Sequence, residues 1–147
     1  IAVTKIEQEA STNKIQFKIY IRNLGSGDVT KQGNDEDGKK ILDKCSPFGG
    51  GVLDRKEFDR VHLKKVQIGD VDLLSDKKCS PFADGTKGTD NLIRLFNGEG
   101  FVICTLDVTR LGDIQSAYTT PLNIELRYNY RSTISKNIKI SKLTTVG

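Results

Sequence analysis

Side chains that could do chemistry are few in this chain of 147 residues and lie far apart: three cysteines, one histidine and two acidic loop groups. Cys45-Ser46-Pro47-Phe48 and Cys79-Ser80-Pro81-Phe82 are identical tetrapeptides, too short a repeat to imply duplicated structure. No two cysteines have the two-to-four-residue spacing of a zinc site, and three thiols are too few to complete a four-thiolate one. The chemistry to expect is a disulfide. Cys104 sits in an apolar run that reads as a buried strand, and Cys79 precedes the strand expected to pair with it. A Cys79–Cys104 bond would staple the start of that hairpin to the sheet and is the preferred pairing, with Cys45–Cys79 next and three reduced thiols as the remaining option.

His62, between Val61 and Leu63, is the only histidine, so no multi-histidine metal site can form and any Ser or Cys nucleophile would depend on this one imidazole. It reads as an outward-facing strand residue. No glycine-rich loop carries the Lys and Ser/Thr of a phosphate-binding loop. Asp35 and Asp37 in one loop, with Asp84 and Asp90 in another, are the candidates for oxygen ligation of Ca²⁺. A calcium site needs six to eight oxygens, and the run does not match a calcium-loop pattern, so no metal or other cofactor is expected. Lys and Asp alternate through much of the chain, as in Asp54-Arg55-Lys56-Glu57, so the net charge of +4 is spread over a solvated surface. Aromatic residues are only 7%, too sparse for the stacking platforms of single-strand binders, and nucleic acid is not an expected partner. These absences leave an enzyme little to work with.

The elements that must position these residues read as strands. In Lys14–Val29 the residues Ile15, Phe17, Ile19 and Ile21 alternate with polar ones, which puts four apolar side chains on one face. Asn23-Leu24-Gly25-Ser26-Gly27-Asp28 follows, with glycines suited to positive-φ turns. Ala2–Ile6 reads as a first short strand, and 31–38 as a loop rich in Gly, Asn and Asp that would be a mobile tip. Ile41 and Leu42 fit a short helical turn ended by Pro47 and Gly49-Gly50-Gly51. In 60–74 the apolar residues switch from odd to even positions at Lys64-Lys65, predicting one bulged strand or two short ones. Residues 79–91 read as loop. Leu92–Phe96, Asn97-Gly98-Glu99-Gly100 and Phe101–Leu106 predict a β-hairpin at a buried central position. Pro121 leads a strand from Leu122 to Tyr130, which Arg131-Ser132-Thr133 would turn into a last strand from Ile134 to Leu143, its edge guarded by Lys136, Lys139 and Lys142. Seven to nine strands without a long amphipathic helix predict an all-β, antiparallel sandwich, one domain over 1–147 with an elaborated middle at 39–90. No apolar run is long enough for a membrane span.

With the strands placed, both ends of the chain resemble the immunoglobulin-like, CARDB-like modules of archaeal and bacterial secreted and cell-surface proteins. The resemblance rests on the alternating strand followed by N-x-G-x-G at Asn23–Gly27 and on the Pro-led strand with Y-x-Y at Tyr128–Tyr130 before an Ile-rich end. It covers about a third of the chain, on motifs of moderate specificity. It implies an immunoglobulin-like sandwich with an extracellular, non-enzymatic structural or interaction role, as a self-assembling filament subunit or as the head of a pilin-like protein. A carbohydrate- or calcium-binding accessory domain is the other expectation, for which Tyr20, Tyr118, Tyr128 and Tyr130 would have to share one patch. Assembly into a homo-oligomer or polymer would use strand addition, donated by Ala2, Val3 and Ile6 or by the C-terminal tail.

Overall fold

The computed structural model describes residues 1–45, 52–83, 91–111 and 119–142, and the chain folds as antiparallel β-sheets with almost no helix. Strand β2, Lys14–Arg22, follows its sequence pattern: Phe17, Ile19 and Ile21 are buried, while Lys14, Gln16 and Arg22 are exposed. It lies between β1, Ala2–Ala10, and β8, Glu99–Asp107. β1 is longer than expected. Its imperfect alternation has a cause, since the register against β2 slips between Val3 and Lys5 and returns Ile6 to the side of Ile19. The chain then forms β3, Asp28–Thr30.

The predicted bulge in the middle of the chain is present. β4, Arg60–Ile68, is one strand whose register against β9, Leu122–Arg127, shifts between Leu63 and Lys65. The shift lets Val61 and Leu63 on one side of it, and Val66 and Ile68 on the other, all reach the core. On its other edge β4 pairs with β5, Val71–Asp72, and β7, Leu92–Arg94. A two-residue strand β6, Cys79–Ser80, pairs with β8 where loop was expected. The sheet orders are thus β1-β2-β8-β6 and β5-β4-β7 with β9 on β4, and one buried cluster joins Ile19, Val102 and Leu106 of the first sheet to Leu63, Val66 and Ile93 of the second.

Three expectations need correction. Asn97 and Gly98 do form a tight turn, with φ of 51° and 80° and reciprocal bonds between Phe96 and Glu99, but its arms part. β7 joins β4 and β8 joins β2, so this turn carries the chain from one sheet to the other. β8 is central in its sheet yet faces the core on one side only, leaving Phe101 40% exposed. Gly25 and Gly27 are not among the positive-φ residues. Their role is close approach: a Cβ at Gly25 would collide with the Tyr130 hydroxyl, and one at Gly27 with the Arg131 backbone carbonyl and the Tyr130 ring, while the Tyr130 hydroxyl accepts the Gly27 N–H at 2.7 Å. Tyr130 belongs to β10, Asn129–Arg131, which pairs with β3, so the two sequence motifs of the chain ends meet here. The third correction concerns the predicted last strand. After Arg131 the described chain runs through 132–142 with no ladder, turn or bend, and Lys136, Lys139 and Lys142 guard no sheet edge.

Candidate functional site

Cys79 and Cys104 are bonded, directly opposite each other in the β6–β8 register, with Cα atoms 4.1 Å apart. The bond therefore ties β6 itself to β8, not the start of the β7–β8 turn. Both cysteines lie in the core, and Cys45 is the free thiol, half-buried, with its Sγ donating to the Ile41 carbonyl at 3.5 Å.

The acidic loop is pinned by one lysine. Lys44, in the short helix α1, Ile41–Lys44, places Nζ 2.7 Å from Asp35 Oδ2 and 2.8 Å from Glu57 Oε1, all three side chains at most 7% exposed. Asp35 Oδ1 accepts the backbone N–H of Lys39 at 2.7 Å and of Asp37 at 3.0 Å. Glu57, ending the 3-10 turn Arg55–Glu57, accepts the Asp54 N–H at 3.2 Å. The expected mobile tip is therefore a loop folded around a buried ionic cluster. The hydrogen bond from Lys44, with the two backbone donors, holds the Asp35 carboxyl below the usual carboxylate range, and the Asp35 and then Glu57 bonds push Lys44 above its ordinary value. An ammonium group stands beside Asp35 where calcium would have to stand. Asp37 is exposed, Asp84 and Asp90 lie outside the described residues, and no group of three or more metal-ligating side chains occurs among the described residues.

His62 faces inward, against expectation. It is 5% exposed and its Nε2 accepts the Gln32 backbone N–H at 3.0 Å, which joins β4 to the segment after β3. Arg60–Leu63 is buried at every position, so both faces of β4 are covered there, and the segment at Gln32 lies on the face that His62 takes.

The three described tyrosines do not share one patch. Tyr20 lies on the outer face of the first sheet beside Phe101, Tyr128 packs against the core, Tyr130 covers the Gly25–Gly27 turn, and Tyr118 lies outside the described residues. Sequence reading missed a different aromatic feature. A groove of about 540 Å³ is lined by Tyr20, Phe82, Phe96 and Phe101, with Arg94 and Glu99 at its polar positions. Arg94 stacks 4.5 Å over Phe96, and Lys18 4.5 Å over Phe101. The distance in sequence between these aromatics hides the groove, which forms because β7 and β8 part after Asn97-Gly98.

A second surface concerns the chain ends. Ala2, Val3 and Ile6, the expected donor segment, pair within this chain with Arg22, Ile21 and Ile19. Cross-strand partners share a face, so Val3 and Ile6 point toward the core side, yet they are 36% and 43% exposed. On the second sheet, Leu122, Ile124 and Leu126 of β9 and Tyr128 beyond it are only partly buried. The outer edge of β9 has no strand beside it among the described residues. The Ile1 amino group, 3.4 Å from the Tyr128 hydroxyl, brings the start of β1 next to the end of β9. Ile134, Ile138 and Ile140 of the unpaired tail are 95%, 73% and 85% exposed.

Among the described residues no helix is long and apolar enough to cross a membrane. Comparison with protein families, curated proteins and solved structures finds no match for the chain.

Proposed function

We propose that this protein is a non-enzymatic structural or interaction module of a prokaryotic cell surface, of immunoglobulin-like build, that assembles with copies of itself. The observation that carries this reading is the tail 132–142, which has no ladder and displays three exposed isoleucines on a fold whose β9 has no strand on its outer edge among the described residues. Exposed apolar side chains on one side of an extended segment, with a sheet edge that has no described strand beside it, are the parts of strand addition. A head-to-tail contact of this kind does not close on itself and gives filaments when the rotation leaves it open. An extracellular setting agrees with the Cys79–Cys104 bond, since disulfides persist where the surroundings are oxidising. The test is sedimentation and electron microscopy of the purified chain over a concentration series. Oligomers or filaments that grow with concentration, and vanish when 132–147 are deleted, are expected; a strict monomer at high concentration overturns the reading.

The aromatic groove favours a second reading, an accessory carbohydrate-binding domain of a larger secreted protein, with Phe96 and Phe101 as stacking surfaces for sugar rings. Glycan titration against Phe101→Ala tests it, and equal weak binding by both chains removes it.

A further inference from the structure

We propose that the outer edge of β9, which has no strand beside it among the described residues and ends next to the start of β1, is an acceptor site for residues 132–142 of a second copy, which adds there as a strand. The inference rests on the self-assembly reading and names its two contacting surfaces. The sheet order β1-β2-β8-β6 opposite β5-β4-β9 matches the A-B-E-D and C′-C-F order of an immunoglobulin-type sandwich. In that order an eighth strand pairs with the outer edge of F and faces A across the core. Here the F position is β9, and no described strand lies beyond it.

One missing strand accounts for two separate defects. It would supply backbone partners along Leu122–Arg127, and its inward side chains would cover Val3 and Ile6, which point toward the core side without being buried. The tail has the matching pattern. In an extended strand Ile138 and Ile140 fall on one side together with Ile134, with Lys136 between Ile134 and Ile138 and Lys142 beyond, and Asn137, Lys139 and Ser141 fall on the other, so Ile138 and Ile140 are the inward pair. Lys139 on that polar side suits Glu125 on β9.

A second copy is favoured over the chain's own tail by the path after β9. β10 leaves the line of β9 to pair with β3, held by the Tyr130–Gly27 bond and an Arg131–Asp28 ion pair of 2.9 Å. A hairpin back onto β9 would then need a tight turn, and none occurs through 132–142. The segment is thus displayed away from its own acceptor.

Hydrogen exchange on the full chain at low and high concentration is the first test. Amides of Leu122–Arg127 and of 132–142 should slow together about ten-fold or more at high concentration, and Ile138→Asp with Ile140→Asp should abolish the change. The second test uses Cys45→Ser with Ile124→Cys and Ile138→Cys. Oxidation of assembled protein should give a ladder of covalent multimers. A cross-linked monomer would mean that the tail serves its own chain, and overturns the proposal. Assembly with β9 unprotected, or with protection on β1 instead, overturns the acceptor while leaving self-assembly standing; no assembly overturns both.

Discussion

Lys44 is the residue on which one end of the molecule depends. Its ammonium joins Asp35, which organises the loop after β3, to Glu57, which ends the 3-10 turn before β4. Removing the cation leaves two buried carboxylates facing each other, the costliest way to break such a cluster. Lys44→Met should lower the melting temperature at pH 7 by roughly 5–10 °C. The pH dependence has a definite sign. The Asp35 contribution, with its carboxyl held low, is full above the ordinary carboxylate range and fades as pH falls through its lowered value. The Lys44 contribution, raised in the fold, is full below the ordinary lysine range and fades as pH climbs through the raised value. The difference between wild type and Lys44→Met, followed by thermal melts, should therefore be widest at neutral pH and narrow in acid; a gap that widens in acid would contradict the assignment. None of this was legible from Asp35-Glu36-Asp37, because the partners that turn an acidic loop into a buried cluster come from two other elements. The disulfide was more legible, since only three cysteines compete. Cys79→Ala with Cys104→Ala should cost about 3 kcal/mol in chemical denaturation under non-reducing conditions, the value for a loop closed over a separation of 25 residues.

Among the elements, β3 and β10 bind the start of the chain to its end. Tyr130 lies across Gly25 and Gly27, where an added Cβ at Gly27 would stand 2.7 Å from the ring carbon Cζ and closer still to the Arg131 backbone carbonyl oxygen. Gly27→Ala should destabilise by about 1–3 kcal/mol through overpacking, whereas Tyr130→Phe, which loses only the Gly27 bond, should cost about 1 kcal/mol or less. Equal costs in urea titrations would show that the hydrogen bond, not the close approach, fixes the glycine. The glycines were visible in the sequence as special positions, but their reason was misread, because a steric demand made by a side chain more than a hundred residues away leaves no local mark. Period-two alternation was readable wherever one face meets the core, as in β2, and the shifted parity at Lys64-Lys65 announced the β4 bulge. It failed in two places. At Phe101–Leu106 it could not say that the two arms of a tight turn enter different sheets, and at Ile134–Ile140 the pattern of a strand is present without the ladder.

At the scale of the whole molecule, that unladdered pattern is what distinguishes this sandwich from a self-sufficient one. Val3 and Ile6 on one sheet, and Leu122, Ile124 and Leu126 on the other, stay partly open, and the described tail, 132–142, pairs with neither sheet. If a neighbour completes the fold, stability becomes a matter of mass action, since a partner that binds only the folded chain raises the cost of unfolding with its concentration. At protein concentrations about a hundred-fold above the dissociation constant the gain would be about 2.7 kcal/mol, and the melting temperature should rise by roughly 5–10 °C relative to dilute protein. Ile138→Asp with Ile140→Asp separates this from ordinary crowding. Both side chains are more than 70% exposed in the isolated chain, so the variant should melt with the wild type when dilute and fail to gain stability when concentrated. Calorimetry over a concentration series reads both limits. A wild-type melting temperature independent of concentration, or a variant that gains as much as the wild type, would mean that the exposed isoleucines do not complete a neighbour's core.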